Sequence, residues 1–554
     1  MPLPLPRRSA TLLALAVLAV LPQLRAQAAL PEDRQAGAAS VDVAQCRQWL
    51  GTLAGPEFAG RGTGQPGFEL AANYVAAHFK ALGLEARGEN GSYFQHVPWT
   101  NSVVDPKQSS LRFHQEGREV LVVPVERLTG TCSSSFAASG DVVLVRPKLV
   151  TVEPEAKPGE PRRRRPSLTV QGLDGAELQG KVVLVQMPPA SGDRMQAAMG
   201  RFAVLGELQG KSCAAILFLQ RDPVQGGLRG RGGMARAGRN PAAAGAGRAP
   251  LNATLGGEDA VVLCQAANTT PEVHDGPAVL PLGLAAEVKV HVDDVPAPAM
   301  NVFAVLPGSD PKLRDEYVVV GSHLDHLGRS GEVVSPGADD DASGTTGVMA
   351  VAQMLARNPV RPARSTLFVC FSGEENGLVG SGYFAKNCPI PLASIVAELQ
   401  MDMIGRDEEE NAEGNRGELA EQNRNSLHLI GTEQLAPALH ELCLAKNTAA
   451  KFDLEWDQEE MFGRSDHANF AKYGVPIAFF FTGLHRDYHQ PTDTAEKIHY
   501  EKLLRVATYV YDIAFELAIR SDRPAVAPEL WAKYRGKASK EPAAPLVAPA
   551  GDGK

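Results

Sequence analysis

From Met300 onward, apolar runs of strand length alternate with helical ones, and this alternation leaves few folds open. Strand candidates fall at Tyr317–Gly321, Ser365–Phe371, Ile395–Met403 and Pro476–Thr482. Between and after them lie a helix from Ser343 to Leu355, with Val348, Val351 and Leu355 on one face, and a long closing helix from Thr494 to Ile519. Ser365–Phe371 is a continuous apolar run, as expected of a strand buried on both faces. Strands alternating with helices predict an α/β fold, a mainly parallel sheet flanked by helices. Such sheets gather their sites at the C-terminal ends of the strands.

Acids and histidines stand at those ends. His323 and Asp325 follow the first strand in Gly-Ser-His-Leu-Asp-His-Leu-Gly, and Asp340 lies among three adjacent acids, Asp339-Asp340-Asp341. Glu374 and Glu375 leave the second strand, Asp402 interrupts an apolar strand, and His489 precedes Pro491 after the last. Crowded carboxylates repel unless a cation joins them, and an acid inside an apolar strand is costly unless paired or metal-bound. Two histidines (His323, His489) and three carboxylates (Asp340, Glu375, Asp402) suit a pair of zinc ions sharing one bridging acid. Glu374, beside a proposed ligand, is placed to act as a general base. His323 and Asp325 are two apart, so on a strand both point the same way, and Asp325 is expected to accept a hydrogen bond from the His323 imidazole. His326 points elsewhere and reads as structural. Asp466 in Ser-Asp-His faces substrate or caps a helix.

These motifs resemble those of the M28 family of zinc aminopeptidases. The likeness covers Ala59 to Val97, with Gly60-Arg-Gly-Thr-Gly64 and Tyr93-Phe-Gln, and Asn301 to about Ala518. The resemblance implies two Zn2+ per chain. His323 and Asp402 would hold one zinc and Glu375 and His489 the other, with Asp340 bridging. It also implies attack by a zinc-activated water with Glu374 as base, Asp325 supporting His323, a cis peptide between Asp340 and Asp341, and a substrate contact at Asp466. Gly180-Lys-Val-Val-Leu-Val-Gln186 and Cys213-Ala-Ala-Ile-Leu-Phe218 resemble a protease-associated domain, of a kind thought to shape substrate access.

At 554 residues the chain is too long for one core. The expected division is a signal peptide over 1–28, the N-terminal part of the catalytic domain over 29–118, a β-rich insert over 119–295, the main catalytic domain over 296–522 and a disordered tail over 523–554. A disordered Gly/Arg-rich loop over 225–250 is expected within the insert, together with the basic run Pro161–Pro166, and Arg406 to Asn425 reads as a mobile surface loop. Helix Gly67–Leu84 and edge strand Tyr93–Val97 open the catalytic part. Arg7-Arg8, the apolar stretch Thr11–Leu21 and Ala26-Gln27-Ala28 form a secretory signal. The protein is therefore expected to be exported, periplasmic or extracellular, with no stable membrane partner unless the signal is retained as an anchor. The formal charge is −9, and −12 without the first 28 residues, which carry Arg7, Arg8 and Arg25 and no acid. That balance argues against nucleic acid as a partner, and the family resemblance implies peptides or proteins as substrates. Export permits disulfides. Cys132 with Cys213 or Cys264, and Cys388 with Cys443, are candidates, while Cys370 reads as a buried thiol.

The favoured function is an exported zinc exopeptidase, an aminopeptidase acting on peptide N-termini. The rivals are a carboxypeptidase of the same family, a single-zinc glutaminyl cyclase-like acyltransferase, and an inactive binding protein on this scaffold. His323 favours two metals over the cyclase, and the intact ligand set argues against the binding protein.

Overall fold

The structure is a computed structural model. It describes residues 30–132, 134–152, 167–188, 194–224, 228–230, 233–234, 251–272, 276–410, 418–456, 458–529 and 531–532. The expected signal segment, the basic run 161–166 and most of loop 225–250 lie outside them.

Eight strands form the sheet that carries the site: Phe94–His96 (β1), Met300–Leu306 (β2), Tyr317–His323 (β3), Ser365–Phe371 (β4), Ile395–Met401 (β5), Ser426–Ile430 (β6), Asp453–Glu455 (β7) and Ile477–Phe481 (β8). Their order is β1-β2-β4-β3-β5-β8-β6-β7. The four central strands β4, β3, β5 and β8 run parallel. Strands β2–β5 and β8 are buried at every residue, which explains their continuous apolar sequences. The sequence did not reveal β6 and β7, two short strands beyond β8.

Helices Pro66–Ala81 (α1), Gly344–Arg357 (α2), Pro437–Ala450 (α3) and Tyr500–Ile519 (α4) pack on one face. α1 starts with Pro66 in its first turn, where proline costs no hydrogen bond. α4 begins six residues later than expected, because a separate short turn, Ala495–Lys497, precedes it. The opposite face carries a second core around Phe303, Phe371, Phe384 and Phe470.

Residues 110–290 build a separate nine-stranded mixed sheet with cores on both faces. It takes in Ser110–Gln115 ahead of Glu119, because that strand pairs with the long strand Val279–Val290. Trp99–Val104 pairs antiparallel with Val292–Pro296 and brings both ends of this segment together.

Three expectations fail. All seven cysteines are free, six of them buried at separate points in the cores. The loop Arg406–Asn425 is not wholly a surface loop, since Glu408 and Asn423 are buried within it. The tail does not leave the body at residue 523: Arg523 donates to the Ala393 and Ile395 carbonyls, and Trp531 is buried with its indole N–H on the Ala471 carbonyl. An apolar anchor at Trp531 outweighs the local composition that suggested disorder.

Candidate metal centre

Parallel strand ends bring the ligand candidates together. His323 closes β3, and its chain partner across the sheet is Phe371, three residues before Glu374. Asp402 follows β5, and His489 follows β8 through a loop. Asp340 comes from an irregular helical turn, Ala338–Ser343, whose Asp340–Asp341 peptide is cis.

The distances fall into two sets that share Asp340. His323 Nε2 lies 3.3 Å from Asp340 Oδ1 and 3.4 Å from Asp402 Oδ1. His489 Nε2 lies 3.1 Å from Asp340 Oδ2 and 3.2 Å from Glu375 Oε2. Each oxygen of Asp340 thus faces a different histidine. His323 Nδ1 is 3.0 Å from the Asp325 main-chain oxygen, so it must donate there, leaving the Nε2 lone pair aimed at the carboxylates.

This corrects the expected role of Asp325. Its carboxylate is 3.9 Å from His323 Nδ1, and its backbone carbonyl makes the contact instead. The strand ends at His323, so the two-residue periodicity stops there. The Asp325 carboxylate accepts from the Glu374 main-chain N–H at 3.1 Å. Burial, with Glu375 adding to it, pushes Asp325 up to about 6.

Asp339 and Asp341 do not join the cluster. Asp341 accepts from the main-chain N–H groups of His323, Gly344 and Met403. Asp339 accepts from Gly405 N–H and faces His485. Asp493 holds the turn from below, accepting from the N–H groups of Asp339 and Asp340. Two of the three adjacent acids therefore fasten main chain, which frees Asp340 for the centre. Beneath them Arg61, fully buried, donates to the carbonyls of Leu53, Leu324, Pro336 and Gly337.

His326 was set aside from sequence, yet it lies in the cluster, with Nδ1 2.7 Å from Glu375 Oε1 and 3.6 Å from Asp340 Oδ2. The chain turns at Leu324, so strand periodicity carried no signal for it. Neither ring nitrogen of His326 nor Glu375 Oε1 has a well-directed hydrogen bond, although all are buried. Orphaned ligand atoms among clustered carboxylates fit a divalent cation better than a proton network.

Burial pushes Glu374 well above the usual carboxylate range, and Asp402, Asp466 and Glu375 add to this. Burial pulls His489 down, but its hydrogen bonds to Asp340 and Glu375 outweigh this and raise it to about 10. A small cavity opens over His323, Asp340, Glu374 and Asp402, walled by Met461, Phe479, Phe481 and Leu484. Arg464 and Tyr488 also line it, with an Arg464 N–H donating to the Tyr488 hydroxyl at 3.1 Å. Asp466, read from sequence as a substrate contact or a helix cap, is fully buried, is not among the residues that line this cavity, and caps no helix with its side chain. Burial raises its carboxyl to about 7.

Residues 301–514 match the family model of Peptidase family M28. A probable leucine aminopeptidase of Arthroderma otae is 30% identical over 227 residues, 39% of this chain and 57% of that protein. A probable zinc metalloprotease of Pyricularia oryzae is 27% identical over 385 residues, 61% of this chain and 68% of that protein. The chain thus spans little more than half the length of the first of these relatives. Among solved structures, the aminopeptidase from Aneurinibacillus sp. strain AM-1 superposes with a TM-score of 0.50 at 20% identity, covering 90% of this chain and 98% of that one. A Peptidase M28 precursor from Shewanella amazonensis SB2B gives 0.53 at 17% identity, with the same coverage. Both share the fold. The similarity to peptidase family M28 thus lies in residues 301–514, the part that carries the metal-ligand candidates.

Proposed function

We propose that this protein is an exported zinc metallopeptidase that releases residues from the N-termini of peptides. The observation that carries the reading is Asp340, whose two oxygens face His323 and His489 at 3.3 and 3.1 Å. With one oxygen toward each histidine, Asp340 would serve two zincs, His323 and Asp402 being the residues that would hold one and Glu375 and His489 those that would hold the other. Histidine nitrogen with carboxylate oxygen is a donor set suited to zinc. Zinc bound there supplies Lewis acidity toward a carbonyl oxygen and a water.

The chain's own residues do the rest. Glu374, its carboxyl raised by burial, takes the proton of the water that attacks the scissile carbonyl and passes it to the departing amine. The Asp325 carboxylate holds the Glu374 main chain in place. The acids at the cavity floor attract a terminal ammonium. The wall of Met461, Phe479, Phe481 and Leu484 receives an apolar side chain.

Arg464 at the same cavity favours a second reading, a carboxypeptidase, since a guanidinium binds a terminal carboxylate well. Hydrolysis of a short apolar peptide and its N-acetylated twin by the zinc-loaded protein decides between them. Stepwise cleavage of the free peptide alone is the aminopeptidase result; equal cleavage of both supports the carboxypeptidase. Cleavage of neither overturns both.

Export rests on Arg7-Arg8, Thr11–Leu21 and Ala26-Gln27-Ala28. Among the described residues no helix is long and apolar enough to cross a membrane. N-terminal sequencing of the mature protein should begin just after Ala28. The nine-stranded sheet is assigned as a protease-associated insert that limits which peptides reach the cavity.

A further inference from the structure

The chain from Ser372 to Gly380 leaves β4 and carries both Glu374 and Glu375. Asn301 in β2, fully buried, ties its two ends together. The Asn301 Oδ1 accepts from the Ser372 N–H at 3.1 Å, and its Nδ2 donates to the Gly380 carbonyl at 2.9 Å. Between these ends Gly373 has φ +66°, a conformation that a side chain disfavours. Space excludes a side chain as well, since a methyl group there would stand 3.1 Å from Trp99 Cζ3 and 3.2 Å from Val379 Cβ. The Trp99 ring therefore packs beside the residue that precedes Glu374.

Trp99 opens the ribbon strand Trp99–Val104, at the foot where the ribbon meets the catalytic part. It is buried in a small core with Val97 and Ala299, against which Val379 and Tyr383 pack. The Trp99 carbonyl accepts from the Ala297 N–H, and the Val97 N–H donates to the Ala299 carbonyl, so both chains of the ribbon are joined at this foot. The polar edge of the indole starts a second path. Trp99 Nε1–H donates to Asn101 Oδ1 at 3.0 Å, and Asn101 Nδ2 donates to the Gly64 carbonyl at 2.7 Å. An indole N–H can only donate and a carbonyl can only accept, so this path fixes the Asn101 amide in one orientation. Thr63, the neighbour of Gly64, accepts the Gly373 N–H on its hydroxyl oxygen at 3.0 Å. The ring contact and the hydrogen-bond path thus leave the same side chain and meet again at Gly373. Trp99, Asn101 and Thr63 do not line the cavity over the ligand candidates.

We propose that Trp99, Asn101 and Thr63 are positioning residues for Glu374, so that the foot of the ribbon braces the base without touching substrate. The proposal rests on the reading of Glu374 as the general base. Two successive N–H groups are held there from two segments, Gly373 by Thr63 and Glu374 by the Asp325 carboxylate at 3.1 Å. With the ends held by Asn301 as well, the main chain at Glu374 has one place to stand. A base must lie within hydrogen-bond reach of the proton it takes, and a displacement of about 1 Å costs on the order of 10²-fold in rate.

The test uses the zinc-loaded full chain and a short apolar peptide. Thr63→Val and Asn101→Leu each break the hydrogen-bond path at nearly constant volume. Each is expected to lower kcat about 10–100-fold with KM and metal content unchanged. Thr63→Ser, which restores the hydroxyl, is expected to recover the wild-type kcat. In a Glu374→Gln background the same substitutions should change kcat by less than about twofold, because residues that act through Glu374 have nothing left to place. An equal loss in both backgrounds shows a merely structural role and overturns the proposal, as does wild-type kcat in both variants. If Thr63→Val fails to fold, Asn101→Leu, at a half-buried position, decides. Normal turnover by Glu374→Gln removes the base assignment and this proposal with it. If the wild-type protein cleaves no peptide, the peptidase reading falls and amide hydrogen exchange decides whether the ribbon holds the loop. Faster exchange at Gly373 and Glu374 in Asn101→Leu supports that bracing, and unchanged rates overturn it.

Discussion

Glu374 and its neighbours have separable roles at the scale of single residues. Glu374 touches none of the proposed ligand pairings, so Glu374→Gln should keep the metal content and lower kcat by roughly 10²–10⁴-fold, read by metal analysis beside steady-state kinetics. Arg61 acts from below through four main-chain carbonyls drawn from three segments. Lysine cannot reach all four, so Arg61→Lys should cost about 1–3 kcal/mol for each buried carbonyl left unpaired, measured as a shift in denaturant midpoint. Asp407 shows how a single pair responds to pH. Burial would raise its carboxyl, but His499 and Lys502, at 3.0 and 2.7 Å, hold it below the usual range. A depressed acid contributes stability that is present above the unfolded carboxylate range, near pH 4, and lost as pH falls through the folded value. Asp407→Asn should therefore reduce stability at neutral pH and flatten the acid limb of a thermal-stability profile.

At the scale of elements, sequence patterning and outcome agree where a run is long and buried. β4 spans the residues that its apolar run predicts, and α2 lies within two residues of its expected ends. β6 and β7 escaped notice because short strands lack a periodic signal and are placed by their neighbours. The closing helix α4 has Leu503, Val506, Val510 and Ile513 fully buried against the sheet. Leu503→Ala should cost about 2–5 kcal/mol, seen in chemical unfolding, while leaving the metal ligands in place. The turn Ala338–Ser343 behaves differently from any regular element. Asp493 pins its main chain, Asp341 turns away to the N–H groups of His323 and Gly344, and its acidic sequence alone could not say which carboxylate would remain for the centre.

At the scale of the molecule, two sheets have separate cores, and the ribbon of Trp99–Val104 with Val292–Pro296 joins them. The Asp105 N–H donates to the His291 carbonyl at 2.9 Å, so the chain enters and leaves the second sheet at nearly one place. Replacing residues 106–290 by a short Gly/Ser turn should leave a folded catalytic part that still cleaves small peptides. Its KM for long peptides should change more than its kcat. Loss of small-peptide cleavage in a folded variant would show that the insert completes the site.

What the sequence determined by itself is local in origin: the strand–helix alternation, the ligand candidates at strand exits, and the acid placed beside them. Each follows from side-chain period or from the cost of burying charge within a few residues. Tertiary structure alone decided the rest. It brought His326 into the cluster, turned the Asp325 carboxylate from His323 to Glu374, placed Arg61 beneath the turn, and buried Trp531 and the free cysteines. These depend on distances between residues far apart in the chain, which packing of the sheets sets and local spacing does not encode.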